Sequence, residues 1–210
     1  MVIGEARTNT NGTERRERLL RVAREIFAER GYQATTMDDV ATAAGFTKPI
    51  LYQHFASKES LYNEIVESAS AQLLRALVDA TRNIASPREM VDSAFRVFFE
   101  VVVNETAAFR LLFLQPPVGE SSERRRVESK LTSFIEARIP LASEPNHRRQ
   151  YASSIVGMAE GAATTWLIQQ ERDGWPALAE GEVERLAARI ATLAWGGLRT
   201  VEIDSSFPTP

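Results

Sequence analysis

The chain has 210 residues but no cysteine, only two histidines and only three lysines. Without thiols there is no disulfide framework, no thiolate zinc site and no cysteine nucleophile, and His54 with His147 cannot make a histidine-rich metal centre. Neither a metal nor another cofactor is expected. No apolar run reaches the length of a membrane span, because Glu100 and Glu160 interrupt the best candidates. The opening stretch MVIGEARTNTNGTERRER also lacks the apolar core of a signal peptide, so a cytoplasmic protein with no membrane partner is expected. Alternating strand patterns and internal repeats are missing as well. A formal net charge of -3 excludes a bulk basic polymer binder, whereas 44% hydrophobic residues suffice for a real core.

What is present is an apolar recurrence at three and four residues almost throughout, which predicts an all-α protein. Leu19, Ala23, Ile26 and Phe27 form a first stripe that Gly31 ends, with Thr13 as its cap; Arg16 stands where a capping box would want Glu. Thr36 opens a short second helix with Asp39 three residues on, burying Met37, Val40, Ala41 and Ala44 before Gly45 breaks it. Thr47 caps a third, with Pro49 in its first turn and Leu51 and Phe55 facing inward. Ser57 caps a longer helix over about 58–84. After Ser86 and Pro87 the helices lengthen and become lined with aromatics, including a nearly all-apolar stretch from Met90 to Val103 and a short helix stopped by Pro116 and Pro117. The predicted division is 1–57, an arm with three short helices, and 58–210, a larger helical body.

Residues 36–55 join a capped helix, a turn at Gly45 and a second short helix, which is helix-turn-helix spacing. Such a helix fits the DNA major groove if its inward residues anchor it and its outward ones donate hydrogen bonds. With Leu51 and Phe55 as anchors, Lys48 is suited to guanine, Gln53 to adenine, and Pro49 or Ile50 to a thymine methyl. Thr47, Tyr52 and His54 suit phosphate oxygens, which set register. Lys58, a cation in the first turn of its helix, opposes the macrodipole, and a docked phosphate is one way to offset that; simple solvation is the other.

The run TTMDDVATAAGFTKPILYQHFASKESLY resembles the DNA-binding region of the TetR (tetracycline repressor) family, over about the first third of the chain. The resemblance implies a three-helix DNA-binding head, a helical ligand-binding and dimerisation body, and repression relieved by a small molecule. By that likeness Thr36, Thr47, Lys48, Pro49, Ile50, Tyr52, Gln53, His54 and Lys58 occupy positions that meet double-stranded operator DNA. Phe46 departs from the smaller aliphatic residue often found there.

In the body, Phe95, Phe98, Phe99, Phe109, Phe113 and Phe134 either fill a core or line a cavity, and the family likeness favours a cavity. Its expected lining adds Val102, Leu112, Leu131, Tyr151, Met158 and Trp166, which fits an apolar or aromatic effector, with Glu160 and Gln169 as the polar groups to watch. The last two helices carry small and apolar residues, Ile155, Gly161, Ala162, Ile190, Ala191, Ala194 and Leu198, read as a homodimer interface. The expected function is a ligand-responsive DNA-binding repressor without catalysis. An all-helical enzyme using the Phe-rich cavity and a same-fold regulator without an effector are the alternatives. Residues 1–58 hold 9 Lys+Arg against 7 Asp+Glu, a net of +2, and the remaining 152 hold 16 against 21, a net of -5. That partition sets a mildly basic head on an acidic body.

Overall fold

A computed structural model of the chain describes residues 4–114, 122–138 and 145–203, with side chains over 12–114, 123–138 and 147–199. Pro116 and Pro117 lie outside the described residues. Those residues form nine helices and no strand: α1 (Gly4–Arg30), α2 (Met37–Ala44), α3 (Lys48–His54), α4 (Lys58–Thr81), α5 (Pro87–Asn104), α6 (Thr106–Phe113), α7 (Ser122–Glu136), α8 (Pro145–Arg172) and α9 (Glu182–Ile203). No helix among the described residues is long and apolar enough to cross a membrane.

The chain divides into two compact units, one of residues 1–69 with 107–123 and one of 70–106 with 124–210. This differs from a boundary at 57/58. The first two turns of α4 carry Leu61, Tyr62 and Ile65, all buried, so the helix begins inside the first unit's core. The same unit takes in α6, because the buried Tyr62 hydroxyl donates to the Leu111 carbonyl at 3.3 Å. Tyr32 bridges Phe27 and Tyr62, with ring centroids 5.7 and 5.2 Å away.

Local sequence explains most helix ends in this unit. Thr36 and Asp39 form the reciprocal capping box: the Asp39 amide donates to Thr36 Oγ1 and the Thr36 amide to Asp39 Oδ2 at 2.8 Å. The Thr36 hydroxyl also donates to Asp39 Oδ2, and that bond, followed by the one from the Thr36 amide, holds the Asp39 carboxyl below its ordinary pKa. We expect Thr36→Ala to cost about 1 kcal/mol of stability, read as a lower denaturation midpoint. Gly45 takes φ 74, and the Phe46 amide then reaches the Ala41 carbonyl at 2.9 Å, closing α2 and turning the chain into α3. Two caps differ from expectation. Thr13 lies inside α1, which starts at Gly4, and the Thr47 side chain makes no cap bond; its carbonyl instead accepts from Ile50 and Leu51. Ser57 does cap α4, exchanging bonds with Ser60.

In the second unit α5 packs along α9 and against α8, and α8 packs against α9. Ala187, Ala191 and Ala194 are buried on α9, and small side chains let helix axes approach closely.

Candidate functional site

In α3 only Leu51 is buried, and Phe55 just after it is 2% exposed, so these two side chains hold the helix to the first unit. Lys48, Pro49, Tyr52 and Gln53 are exposed, and Ile50 and His54 half-buried. Lys48 and Tyr52, like Pro49 and Gln53, are four apart and stack along one side. Thr36 and Thr47 are exposed at the starts of α2 and α3. Sequence reading missed the brace on this unit. Arg16 lies over the Phe55 ring at 5.1 Å and pairs with Glu64 of α4, and Arg18 lies over Phe46 at 5.6 Å. The second contact gives the unusually large residue at 46 a partner.

The two lysines of this segment are both engaged within the protein. Lys48 Nζ is 2.8 Å from Asp38 Oδ2, and that bond raises its pKa. Lys58 Nζ donates to the carbonyls of Tyr32 and Thr35 at 2.8 and 2.9 Å and lies 4.4 Å from the Tyr32 ring centre. Within the protein, carbonyls of the segment between α1 and α2 thus offset the unfavourable dipole position of Lys58.

The second unit contains a cavity of about 300 Å³ lined almost wholly by apolar side chains, among them Met90, Val91, Phe95, Phe134, Ile155 and Trp195. A smaller one of about 50 Å³ shares Ala94, Phe95, Phe134, Ile135 and Ile155 with it and adds Phe98 and Leu131. Phe95, Phe98, Leu131 and Phe134 thus line cavities. Phe99 and Val102 are buried on α5 but line neither, and Phe109, Leu112 and Phe113 belong to α6, which folds with the first unit. On α8 Ile155 lines both cavities, and Val156 and Ala159 line the smaller one. Tyr151 lies a turn before that stretch, Trp166 about two turns after it, and Met158 off its face. Among the described residues the one charged lining residue is Arg138, whose guanidinium lies 3.7 Å from the Phe134 ring centre and donates to the Phe134 carbonyl at 3.0 Å. Burial lowers its pKa.

Glu160 is 8% exposed and faces α7, with Oε2 3.6 Å from Arg124 Nη2 and Oε1 without a hydrogen-bond partner among the described residues. Burial, reinforced by Glu128 and opposed by Arg124, pushes its pKa up to about 7. The folded state therefore holds a proton that the unfolded chain releases near pH 4.3, and stability falls as pH rises from there to about 7. Glu160→Gln should flatten that slope and raise stability at pH 8 by about 1–3 kcal/mol, with little change at pH 4, in melts followed across pH. Gln169 is exposed and bonded to Asp173.

The residues expected at a dimer interface divide. Ile155, Ala194 and Leu198 line the cavity and Ala191 is fully buried, because α9 turns its small side inward toward α5. Gly161 is exposed, and Ala162 and Ile190 half-buried. Ile168 and Leu193, 53% and 62% exposed, are the large apolar groups left outside on α8 and α9. A Cβ added at Gly157, Gly161, Gly196 or Gly197 would meet nothing within 4 Å, so backbone is open to approach on both helices.

An exposed seven-residue helix, anchored by Leu51 and set by the turn at Gly45 against a capped partner, defines a helix-turn-helix DNA-binding unit. Residues 19–65 match the model of the bacterial regulatory proteins, tetR family. The transcriptional activator FasR of Mycolicibacterium smegmatis is 31% identical over 198 residues, 92% of this chain and 87% of FasR. The transcriptional repressor KstR2 of Mycobacterium tuberculosis is 33% identical over 124 residues, 59% and 58% of the two chains. A crystal structure of FadR from Bacillus subtilis in complex with stearoyl-CoA shares the fold, with TM-score 0.73 at 14% identity over 86% of this chain and 98% of that one. The chain belongs to the tetR family and is a helix-turn-helix transcriptional regulator.

Proposed function

We propose that the protein is a homodimeric regulator whose grip on a pseudo-palindromic operator is released by an apolar small molecule with an anionic end. The observation that carries this reading is the apolar cavity of about 300 Å³ with a single cation among the described residues, Arg138, in its wall. Such a site matches a hydrocarbon body and a carboxylate or phosphate at one end. The stearoyl-CoA complex of FadR supports the choice. The helix α4 gives Thr81 to the cavity wall and begins at Lys58, three residues after the anchor Phe55. A ligand that favours one placement of α4 therefore shifts the population of DNA-competent dimers by its differential affinity for the two states.

Thr36, Thr47, Lys48, Pro49, Ile50, Tyr52, Gln53 and His54 are the proposed DNA contacts, and Lys58 is proposed to brace the segment between α1 and α2. The exposed faces of α8 and α9, with Gly157, Gly161, Ile168, Leu193 and Gly197, are the proposed dimer surface. A two-fold dimer places two recognition helices about 34–36 Å apart on successive major grooves. Binding to an operator that overlaps a promoter makes the protein a repressor, acting in the cytoplasm and without catalysis. Gel shifts on the DNA upstream of its own gene, titrated with saturated fatty acids and their coenzyme A thioesters, test the reading. Sequence-selective binding that these ligands abolish supports it, and binding that none of them changes overturns the effector assignment.

A further inference from the structure

The segment 36–58 holds two carboxylates, Asp38 and Asp39, and two ammonium groups, Lys48 and Lys58. Asp39 is committed to the cap on Thr36, and Lys58 to the carbonyls of Tyr32 and Thr35. That leaves one pair, Lys48 with Asp38 at 2.8 Å, whose side chains are 52% and 60% exposed. Asp38 has no capping task, since Asp39 performs it. Its distinct interaction is with the cation at the start of the recognition helix, whose first turn has no acid of its own.

We propose that Asp38 is a specificity-determining residue: it positions Lys48 for operator contact and lowers affinity for DNA of other sequence. Non-specific binding is ion exchange, in which each cation that neutralises a phosphate adds to affinity. Lys48 held by Asp38 contributes little to that exchange, and the carboxylate repels phosphate in every register. In the operator register the ammonium keeps one N–H on Asp38 and points the other two at a base edge or a fixed phosphate, so the same carboxylate costs less there. The device is a repulsive element set against wrong partners.

The proposal rests on the DNA-binding reading, and the experiment separates the two. Full-length wild-type protein first enriches an operator from a random duplex pool; failure to enrich any sequence would count against operator recognition itself. Dissociation constants for that operator and for an unrelated duplex of equal length are then measured against salt for wild type, Asp38→Asn, Lys48→Ala and the double variant. Asp38→Asn is expected to tighten the unrelated duplex about fivefold and the operator less than twofold, and to steepen the unrelated duplex's salt slope by about one. Most of both changes should be lost in the Lys48→Ala background, where only the carboxylate's own repulsion of phosphate remains to be relieved. Equal effects on the two duplexes, or effects of undiminished size without Lys48, would overturn the proposal. The asparagine is isosteric, and an unchanged melting curve shows that folding is intact.

Discussion

Leu51→Ala should abolish operator binding, with affinity reduced at least about 100-fold, and should lower the stability of the first unit by about 2–5 kcal/mol. Leu51 is 0% exposed and is the only buried side chain of α3, so the seven-residue helix has one internal attachment plus Phe55 beyond its end. A helix this short is not stable by itself, and its position is set by tertiary packing. Removing the anchor leaves the contact residues present but no longer held in one orientation, and the entropy of ordering them falls on the DNA complex. The second unit has its own core, so ligand-induced melting shifts there should survive. Gel shifts and far-UV denaturation of the same preparation check both halves; full operator affinity in the variant would show that Leu51 does not set the helix.

Ala94→Phe should eliminate the effector response while sparing DNA binding. Ala94 is half-buried and lines both cavities, so a ring added at its Cβ enters a void of about 300 Å³ instead of filled core. Cavity filling of this kind typically leaves stability unchanged or raises it by about 0.5–2 kcal/mol. The measurement is the gel-shift titration with fatty acids and their thioesters: release should need at least about 100-fold more ligand, or fail, with operator affinity within about twofold of wild type. A wild-type ligand response would place the effector elsewhere. Arg138→Gln is the companion, expected to weaken anionic ligands about tenfold and leave uncharged analogues of equal chain length unaffected.

Much of the first unit was legible in the sequence because its determinants are local. Thr36 with Asp39, the left-handed turn at Gly45 and the four-residue spacing of Leu51 and Phe55 act within one or two helical turns. Periodicity also located α5 of the second unit to within a few residues, as Met90 to Val103 against Pro87–Asn104. The differences came from long-range partners. Lys58 looked like an anion site because its partners, Tyr32 and Thr35, are 26 and 23 residues away, and nothing in the local run announces them. The alanines of α9 looked like an interface because small residues favour close helix approach without naming the helix that approaches. Here it is α5 of the same chain.

Helix positions, the caps at Thr36 and Ser57 and the helix-turn-helix segment follow from the sequence, because backbone hydrogen bonding and apolar periodicity are set by neighbours within about four residues. Tertiary structure alone decided which apolar residues face a void and which face solvent. It also decided which lysine is held by carbonyls and which by Asp38, and it left Glu160 buried with a pKa near 7. Each of these depends on what another helix brings to the contact, and burial and charge pairing are properties of the packed fold.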